Sequence, residues 1–304
     1  MDVDLRLLRS FVAVAEELHF TRAAQRLHLS QPALSKQIHQ LELQLQIPLL
    51  RRSHRQVELT AAGAVLLPEA RRLLDCWSRA LALTRGVAFE EARTLRVGVI
   101  ANSAAELIPE ILAEFNERRP DWRITMSQGA WTDPTAGLLD GEVDVAFLRP
   151  PVPGQERLHM RMLFEEERWL AMSARHPLAA QEVVRFEQVL DEPFIAMPAE
   201  TGPWRDYWLA TTERAGRPVV IGGEAHSLEE LLEALADNIG VCFTTASVAR
   251  FSSQPGVVYR PVDTISPTQV VVAWRCGDRR RAVDEFVQIC MEVAARESAA
   301  LHTQ

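Results

Sequence analysis

The sequence predicts an α/β protein with an all-α helix-turn-helix domain at its N-terminus and a larger C-terminal α/β domain of two lobes. Apolar residues recur at helical spacing through residues 5–41, and again along a broad stripe through residues 60–88. From residue 95 onward, short apolar strands alternate with helices. That alternation is typical of parallel sheets with crossover helices.

Length and composition are those of an ordinary multi-domain globular protein. A chain of 304 residues is too long for one small hydrophobic core and has the length of roughly two or three domains. Hydrophobic residues make up 47% of the chain and charged residues 24%. The sequence has no apolar run of about 18 residues and no apolar signal region at its start. We therefore expect a cytoplasmic protein without a membrane partner.

The net charge of −8 is unevenly distributed along the chain. Residues 1–60 carry eight Lys and Arg against six Asp and Glu, a balance of +2, whereas the remainder carries 25 against 35. The acidic excess lies outside the N-terminal domain, so this domain can attract phosphate only locally and modestly. Binding to nucleic acid would need several copies of it on one site.

The stretch Phe20 to Leu41 contains two helical patterns joined by a very short turn. Ser30 is a candidate N-cap of the second helix, and Pro32 falls in its first turn, where a missing N–H costs nothing. The face opposite the apolar positions consists of Gln31, Ser35, Lys36 and His39. Such a helix suits the base edges and phosphates of a major groove. Any two-helix hairpin would also have one polar face, so this stretch alone leaves that alternative open.

A basic turn follows the second helix. Residues 47–50 end the helix, residues 51–55 are mostly basic, and residues 57–59 alternate like a short strand. This arrangement predicts a wing beside a recognition helix, which makes the domain a winged helix-turn-helix. In the preceding helix Thr21 and Arg22 could reach a phosphate, although Thr21 could equally be only the helix cap.

A long helix is predicted over residues 60–88, the linker helix. Its apolar positions recur at alternating steps of four and three, which is coiled-coil spacing. Pro68 should kink this helix or soften its first two turns. So broad a stripe must be buried, and an intrachain hairpin would need a second helix of similar length, which is not adjacent. The residues expected at a contact with a second copy are Leu66, Leu73, Trp77 and Leu81.

The alternating region divides into two lobes. Lobe 1 should contain strands at 95–100, 123–127 and 143–148, a helix over 107–115 and a short helix around 138–139. Lobe 2 should contain strands near 168–172, 194–197, 218–222, 241–244 and 257–260, with helices near 186–191, 203–215, 228–236 and 245–251. A strand at 268–275 and a helix at 281–297 return to lobe 1. The chain should cross between the lobes near 163–167 and 262–267.

A small-molecule site is expected beyond the carboxyl ends of the strands, where helices begin. Ser103 and Glu106 have capping-box spacing, so the turn after the first strand would offer free N–H groups to a carboxylate. Arg149 follows strand 143–148 directly at the cleft between the lobes. A guanidinium there could fork onto a carboxylate with two parallel bonds, or it could pair with a neighbouring acid and brace the hinge.

Two separate regions resemble the LysR-type transcriptional regulators. The first is LRLLRSFVAVAEELHFTRAAQRLHLSQPALSKQIHQLELQLQIPLLRR, closed by VELTAAG, over residues 5–63. The second extends from LRVGVI near residue 95, through IGV at 239–241, to VVVAW at 270–274. The resemblance implies a regulator of promoter DNA whose C-terminal domain is periplasmic-binding-protein-like and binds a small-molecule effector. The implied domains are 1–59 for DNA binding, 60–92 for the linker helix and 93–304 for the effector, with lobe 1 at 93–163 and 267–304 and lobe 2 at 168–262.

The resemblance also implies site residues. Those for DNA are Thr21, Arg22, Ser30, Gln31, Pro32, Ser35, Lys36, Arg52 and Arg55. Members that sense aromatic acids or muconate-type diacids are similar at DVAFLR, where the matching arginine binds the effector carboxylate. The implied effector contacts are Asn102, Ser103, Trp131, Thr132, Arg149, Thr201 and Trp204. Those members carry a serine and a threonine in place of Asn102 and Trp131. Trp131 would shrink the pocket or stack on a ring, which leaves the exact effector open.

The implied partners are promoter DNA, an effector that is a carboxylate, a homo-oligomer, and RNA polymerase as a further candidate. In the family the linker helix pairs antiparallel with that of a second subunit, so a dimer or a homotetramer is expected. Cysteines 76, 242, 276 and 290 form no CxxC pair and are expected to be buried small residues, with a peroxide-sensing pair as the family alternative.

We expect neither an enzyme nor a metal or cofactor. The chain lacks the GxSxG, GxxxxGK[ST], HExxH and GxGxxG motifs. A solute-binding protein is one alternative function, and a serine hydrolase using Ser103 and His176 is a more remote one.

Overall fold

The computed structural model describes residues 4–52, 57–251 and 254–301. The chain divides into two compact units, Met1–Leu81 and Ala82–Gln304. Within the described ranges, no helix is long and apolar enough to cross a bilayer.

The first unit is the predicted winged helix-turn-helix. Its elements are α1 (Leu5–Glu17), α2 (Phe20–Arg26), α3 (Gln31–Leu45), β1 (Leu50–Arg52), β2 (Val57–Leu59) and the first part of α4 (Ala61–Glu91). Phe11 and Leu34 are fully buried where the three short helices meet. β1 and β2 pair antiparallel, with Leu50 opposite Leu59, so the domain is helical except for this hairpin.

Side-chain caps fix where each of these helices begins. Ser30 is the N-cap of α3, as predicted, and its hydroxyl accepts a hydrogen bond from the Ala33 N–H at 3.4 Å. The alternative role considered for Thr21, as the cap of α2, is not observed. The cap is His19, whose Nδ1 accepts from the N–H groups of Thr21 at 3.2 Å and Arg22 at 3.4 Å.

The linker helix α4 continues through Pro68 without a break in its helical assignment. Its apolar stripe serves two purposes. Leu66, Leu67 and Leu74 pack against the core of the first unit. Leu73 and Trp77 remain 55% and 49% exposed, so they stay available for a second copy of the chain. Leu66, assigned from the sequence to a contact between copies, is half-buried against its own domain.

The second unit begins with lobe 1. Its elements are β3 (Thr94–Val99), α5 (Ile108–Arg118), β4 (Arg123–Gln128), β5 (Val145–Leu148) and β6 (Leu158–Glu166). β6 was not predicted from the sequence, because its residues are of mixed burial and do not form a continuous apolar run. The predicted crossing at 163–167 therefore falls largely within this strand, and the chain leaves the lobe at Glu167.

Lobe 2 follows directly. Its elements are β7 (Arg168–Ser173), β8 (Val184–Arg185), β9 (Pro193–Ala196), α6 (Pro203–Trp208), β10 (Val220–Glu224), α7 (Leu228–Ala236), β11 (Cys242–Thr245), α8 (Ala246–Phe251) and β12 (Val257–Asp263). β9 pairs parallel with β10, whereas β7 pairs antiparallel with both β11 and β12.

The chain then returns to lobe 1 in β13 (Thr268–Arg275) and α9 (Arg281–Leu301). The five-stranded sheet has the order β4-β3-β5-β13-β6, with β13 antiparallel to β5 and β6. The expected parallel sheet with crossover helices is present in β4-β3-β5 and in β9-β10, whereas β13, β6 and β7 form antiparallel pairs. Strands that enter a lobe by crossing from the other one run in the opposite direction to those that follow a helix.

Three predicted helices are shorter than expected or absent. No helix forms around 138–139, because Gly137 and Gly141 adopt φ values of +80° and +69°, which a right-handed helix cannot contain. The helix predicted at 186–191 is a single 3₁₀ turn, Phe186–Val189. The helix predicted at 203–215 ends at Trp208, shortly before Ala210 at φ +53°.

An arginine cluster fixes the end of the linker helix onto lobe 1. The buried Asp144 carboxylate lies 2.7 Å from Nη2 of Arg96 and 2.7 Å from Nη2 of Arg280. Arg280 Nη1 donates to the Gly86 carbonyl at 3.2 Å, and the Arg96 guanidinium lies 4.0 Å from the centre of the Phe89 ring. Burial raises the pKa of Asp144, but the hydrogen bonds from Arg96 and the charge of Arg280 outweigh burial and lower it overall.

Candidate functional site

The exposed face of α3 carries the predicted polar residues. Gln31, Pro32 and Lys36 are exposed, and Ser35 is half-buried. Leu34 and Ile38 are fully buried, and this fixes which face of the helix is exposed to solvent. The sequence prediction of a polar face on this helix is confirmed.

Arg22 is held against the preceding helix. Its Nη2 donates to the Glu17 carbonyl at 2.6 Å, and its Nε lies 3.3 Å from the Glu17 carboxylate. In the wing, Arg52 lies in β1. Arg55 lies outside the described residues. Glu42 of α3 positions the start of this wing, because its Oε1 accepts from the N–H groups of Leu49 at 2.8 Å and Leu50 at 3.1 Å.

A cavity of about 80 Å³ lies between the two lobes of the second unit. Strand ends, α6, α7 and α8 contribute its walls, and most of its surface is apolar. Its lining consists of Ala101, Asn102, Gln128, Trp131, Arg149, Met197, Trp204, Trp208, Leu228, Leu231, Cys242, Phe243, Thr244, Thr245 and Val248. The structure thus brings together four residues proposed from the sequence, namely Asn102, Trp131, Arg149 and Trp204.

Arg149 is the charged group of this lining and is only 1% exposed. Its Nη2 lies 2.8 Å from Oε2 of Glu166 and 3.4 Å from the Ser247 hydroxyl. Its Nε and Nη1 are buried without a hydrogen-bond acceptor among the described residues. The ion pair considered as an alternative role for Arg149 is therefore present. It still leaves two N–H-bearing nitrogens of the guanidinium unused.

Glu166 is the partner that keeps this buried pair charged. Burial raises the pKa of its carboxyl, but the charge of Arg149 and hydrogen bonds from Ser247 lower it overall. Because Nη2 of Arg149 already faces Glu166, a carboxylate that forks onto the guanidinium would have to share this nitrogen.

The turn after β3 does not form the predicted capping box. α5 begins only at Ile108, and its N-cap, Leu107, has no side-chain cap. Ser103 is fully buried, and its hydroxyl donates to the Ile100 carbonyl at 2.6 Å. Glu106 instead lies 3.3 Å from Arg250 of lobe 2. Ser103 is therefore a structural residue of the turn rather than part of the cavity lining.

The same turn holds Asn102 against the cavity in an unusual backbone conformation. Ala101, Asn102 and Ala104 all have positive φ, at 46°, 55° and 59°. Non-glycine residues in this region are strained, and such strain tends to cluster at ligand sites.

Two further expected contacts lie outside the lining. Thr132 is exposed on a turn, and no helix begins there. Instead Asp133 organises this turn, accepting hydrogen bonds from the Thr135 and Gly137 N–H groups. Thr201 is fully buried, and its hydroxyl donates to the Pro198 carbonyl at 2.7 Å.

The sequence did not identify Gln128, Trp208, Thr244 or Thr245 as lining residues. Trp208 could have been found, because it stands four positions after Trp204, which is one helical turn. The two indole rings are 6.3 Å apart in an edge-to-face arrangement. Thr244 and Thr245 could not be identified from the sequence, because the side of a strand that faces a cavity depends on the strands that pair with it.

The cysteines follow expectation in part. Cys242 and Cys290 are buried, as predicted, whereas Cys76 and Cys276 are exposed. Burial raises the pKa of Cys242 to about 12, so this thiol in the cavity lining stays protonated at neutral pH.

Comparisons with known proteins cover both units. A family described as "Bacterial regulatory helix-turn-helix protein, lysR family" matches residues 5–64, and one described as "LysR substrate binding domain" matches residues 90–295. The HTH-type transcriptional regulator AlsR of Bacillus subtilis (strain 168) is 32% identical over 304 residues, which cover 98% of this chain and 99% of AlsR. The Hca operon transcriptional activator HcaR of Escherichia coli (strain K12) is 32% identical over 302 residues, 98% of this chain and 100% of HcaR. Full-length BenM has a TM-score of 0.54 and 26% identity, over 97% of this chain and 98% of BenM.

Proposed function

Because the chain belongs to the LysR family of DNA-binding transcriptional regulators, with an effector-binding domain behind its helix-turn-helix, we propose that its effector is a small carboxylate bound between the two lobes. The family consists of regulators rather than enzymes. A solute-binding protein or a serine hydrolase is not favoured, since neither accounts for the helix-turn-helix match over residues 5–64.

The observation that supports a carboxylate is the state of Arg149. A guanidinium is always charged and offers five N–H donors, yet two of the three nitrogens here are buried without acceptors from the described residues. Burying such donors unpaired costs free energy, which an anion entering the cavity would recover. Glu166 compensates the charge but not the remaining N–H groups.

For DNA, the proposal assigns base contacts to the first two turns of α3. Gln31, Pro32, Ser35 and Lys36 would face the major groove, while Ser30, Thr21 and Arg22 would contact phosphates near it. Arg52 and Arg55 would reach the backbone and minor groove from the wing. Arg22 has to give up part of its contact with Glu17 to do so.

The proposal also includes a homo-oligomer formed through the linker helix, either a dimer or a tetramer. A local charge of +2 is too small to hold a specific site alone at physiological salt. Two copies supply two readers, so the promoter site should be dyad-symmetric. Effector binding would change how this oligomer lies on DNA and contacts RNA polymerase, in the cytoplasm where the chromosome is.

The test separates ligand binding by Arg149 from its structural ion pair. Arg149→Ala alone would leave Glu166 buried and uncompensated, which costs about 3–5 kcal/mol and would obscure any loss of binding. The double variant Arg149→Met/Glu166→Gln removes both charges together. Glu166→Gln alone is the control that keeps Arg149; it carries a stability cost of the same kind, which a bound carboxylate should restore. Benzoate and short diacids are titrated by calorimetry against each protein, after a thermal-shift screen of the unaltered chain.

We expect the control to bind the carboxylate at least as tightly as the unaltered chain, because Arg149 loses a competing acid. The double variant should fold, bind promoter DNA and show no heat of carboxylate binding. Binding of neutral or cationic metabolites with no binding of carboxylates would contradict the proposal. So would full carboxylate affinity in the double variant.

A further inference from the structure

Two tryptophans that line the inter-lobe cavity have indole N–H groups without acceptors among the described residues. Trp204 and Trp208 both line the cavity and are 1% and 5% exposed. The Nε1 atoms of both rings are buried with no hydrogen-bond partner in the described part of the chain. They lie one helical turn apart on α6, so both rings belong to the same wall.

Unpaired indoles are unusual inside a protein. An indole N–H can only donate, and buried tryptophans usually find an acceptor for it. Leaving the donor unpaired costs more than its hydrogen bond would have contributed. Both nitrogens are covered at the present cavity size of about 80 Å³, so a ligand that reaches them must move the rings or part the lobes.

The charge of the lining limits what that ligand can be. Among the lining residues, all of which are described, Arg149 is the one cation, and there is no Asp, Glu, Lys or His. Because Glu166 already pairs with Arg149, one ligand carboxylate has to share that cation, and a second would be desolvated with no countercharge at all, which is strongly unfavourable. Most of the remaining lining is apolar and includes Met197, Leu231 and Phe243.

We infer that the effector is a monocarboxylate with a neutral hydrogen-bond acceptor, a carbonyl, hydroxyl or ether oxygen, at the end of the molecule away from its carboxylate. The carboxylate binds Arg149, an apolar body fills the middle of the cavity, and the neutral oxygen accepts from the N–H of Trp204, of Trp208 or of both. This inference rests on the proposed function and excludes dicarboxylates from it.

The experiment compares ligands of equal shape. 4-Acetylbenzoate and 3-acetylbenzoate carry a carbonyl where 4-ethylbenzoate and 3-ethylbenzoate carry a methylene group, and terephthalate carries a second charge. The same contrast without a ring is 4-oxopentanoate against pentanoate. Dissociation constants are measured by calorimetry with the full chain and with Trp204→Phe, Trp208→Phe and the double variant. Trp122→Phe, which removes an indole from lobe 1 outside the lining, is the matched control.

We expect the unaltered chain and the Trp122→Phe control to prefer the carbonyl member of at least one pair by about tenfold or more. Phenylalanine keeps an aromatic, though smaller, ring and removes the donor, so the Trp204→Phe/Trp208→Phe variant should lose this preference and retain affinity for the alkyl member. Terephthalate should bind more weakly than 4-acetylbenzoate and than 4-ethylbenzoate.

The outcomes separate this inference from the proposed function. Equal binding of carbonyl and alkyl members by the unaltered chain overturns the inference, since water then satisfies the indoles, and leaves the carboxylate proposal standing. A preference that survives in the double variant, or tightest binding of terephthalate, overturns the inference likewise. If none of these acids binds, the carboxylate proposal itself fails.

Discussion

Single side chains set the orientation of the face proposed to read DNA. Ser30 fixes the first turn of α3, and Glu42 near its other end holds the two N–H groups that begin the wing. His19 does the same for α2. Because these contacts are local hydrogen bonds, the polar residues between them project in a defined direction from a helix whose opposite face is buried.

Ser35 and Arg22 should respond differently to substitution. Ser35→Ala removes a base-edge contact in the proposal and should lower discrimination between the operator and its mutated forms by about 1–3 kcal/mol. Arg22→Ala should weaken all sequences alike and reduce the salt slope by about one phosphate contact. Binding isotherms on operator and scrambled DNA at several salt concentrations measure both effects. A Ser35→Ala protein with unchanged discrimination would contradict this docking.

At the cavity, sequence reasoning found the right strand ends but not every side chain. Arg149 directly follows a buried strand, and its position was predictable from that alone. Ser103 and Thr201 were expected at the ligand but turn inward onto carbonyls. Their direction depends on backbone angles, such as the positive φ of Asn102, that no pattern of residue types specifies.

The elements were predictable where burial is regular. β3, β5 and β13 are almost wholly buried, and all three were expected from their apolar runs. β6 was missed because it is an edge strand of mixed burial. Strand direction could not be predicted either, since it depends on which lobe the chain enters from. The helix at 138–139 was predicted from two leucines, but the glycines on either side have left-handed backbone angles that exclude a helix.

The attachment of the C-terminal end of α4 to lobe 1 depends on Asp144. Asp144→Asn would leave the buried Arg96 without its acid partner and would leave Arg275 and Arg280 to share Asp278 alone. We expect a loss of about 3–5 kcal/mol in the free energy of unfolding at neutral pH, measured by urea denaturation of the full chain. Glu285→Gln, which removes a partly exposed acid paired with Arg119, is the matched control and should cost less than about 1 kcal/mol.

This difference should shrink with acid. The folded-state pKa of Asp144 is lowered, so its contribution is complete above the unfolded value of about 3.9 and is lost as the pH falls from there toward the folded-state pKa. The stability curves of the variant and the unaltered chain should therefore converge as the pH falls below about 4. A gap that stays constant down to pH 3 would show that Asp144 acts by packing rather than by charge.

On the scale of the whole molecule, the distribution of charge and the exposed apolar residues of the linker helix both favour an assembly of more than one copy. The acidic remainder of the chain cannot help to hold DNA, and α4 leaves Leu73 and Trp77 half-exposed. Leu73→Glu/Trp77→Glu should give a monomer by light scattering at micromolar concentration. The dependence of DNA affinity on salt should fall to about half its slope, because one reader releases half the counterions.

Arg79→Glu provides the control for that prediction. It lies two positions after Trp77 and so on the other side of the helix, where it is exposed. It should change the net charge without changing the oligomeric state. An unaltered chain that is monomeric at micromolar concentration would contradict the proposed assembly.

One short strand connects the two regions that a regulator has to couple. β5 is four residues long, with Asp144 immediately before it and Arg149 immediately after it. In extended chain these two residues are about 17 Å apart, and β3 and β13 hydrogen-bond the strand on either side. A paired strand does not stretch, so any displacement of the Arg149 backbone along the strand axis would shift Asp144 by a similar distance. The contacts through Arg280 to Gly86 then carry that shift to the end of the helix on which the second copy is expected to dock.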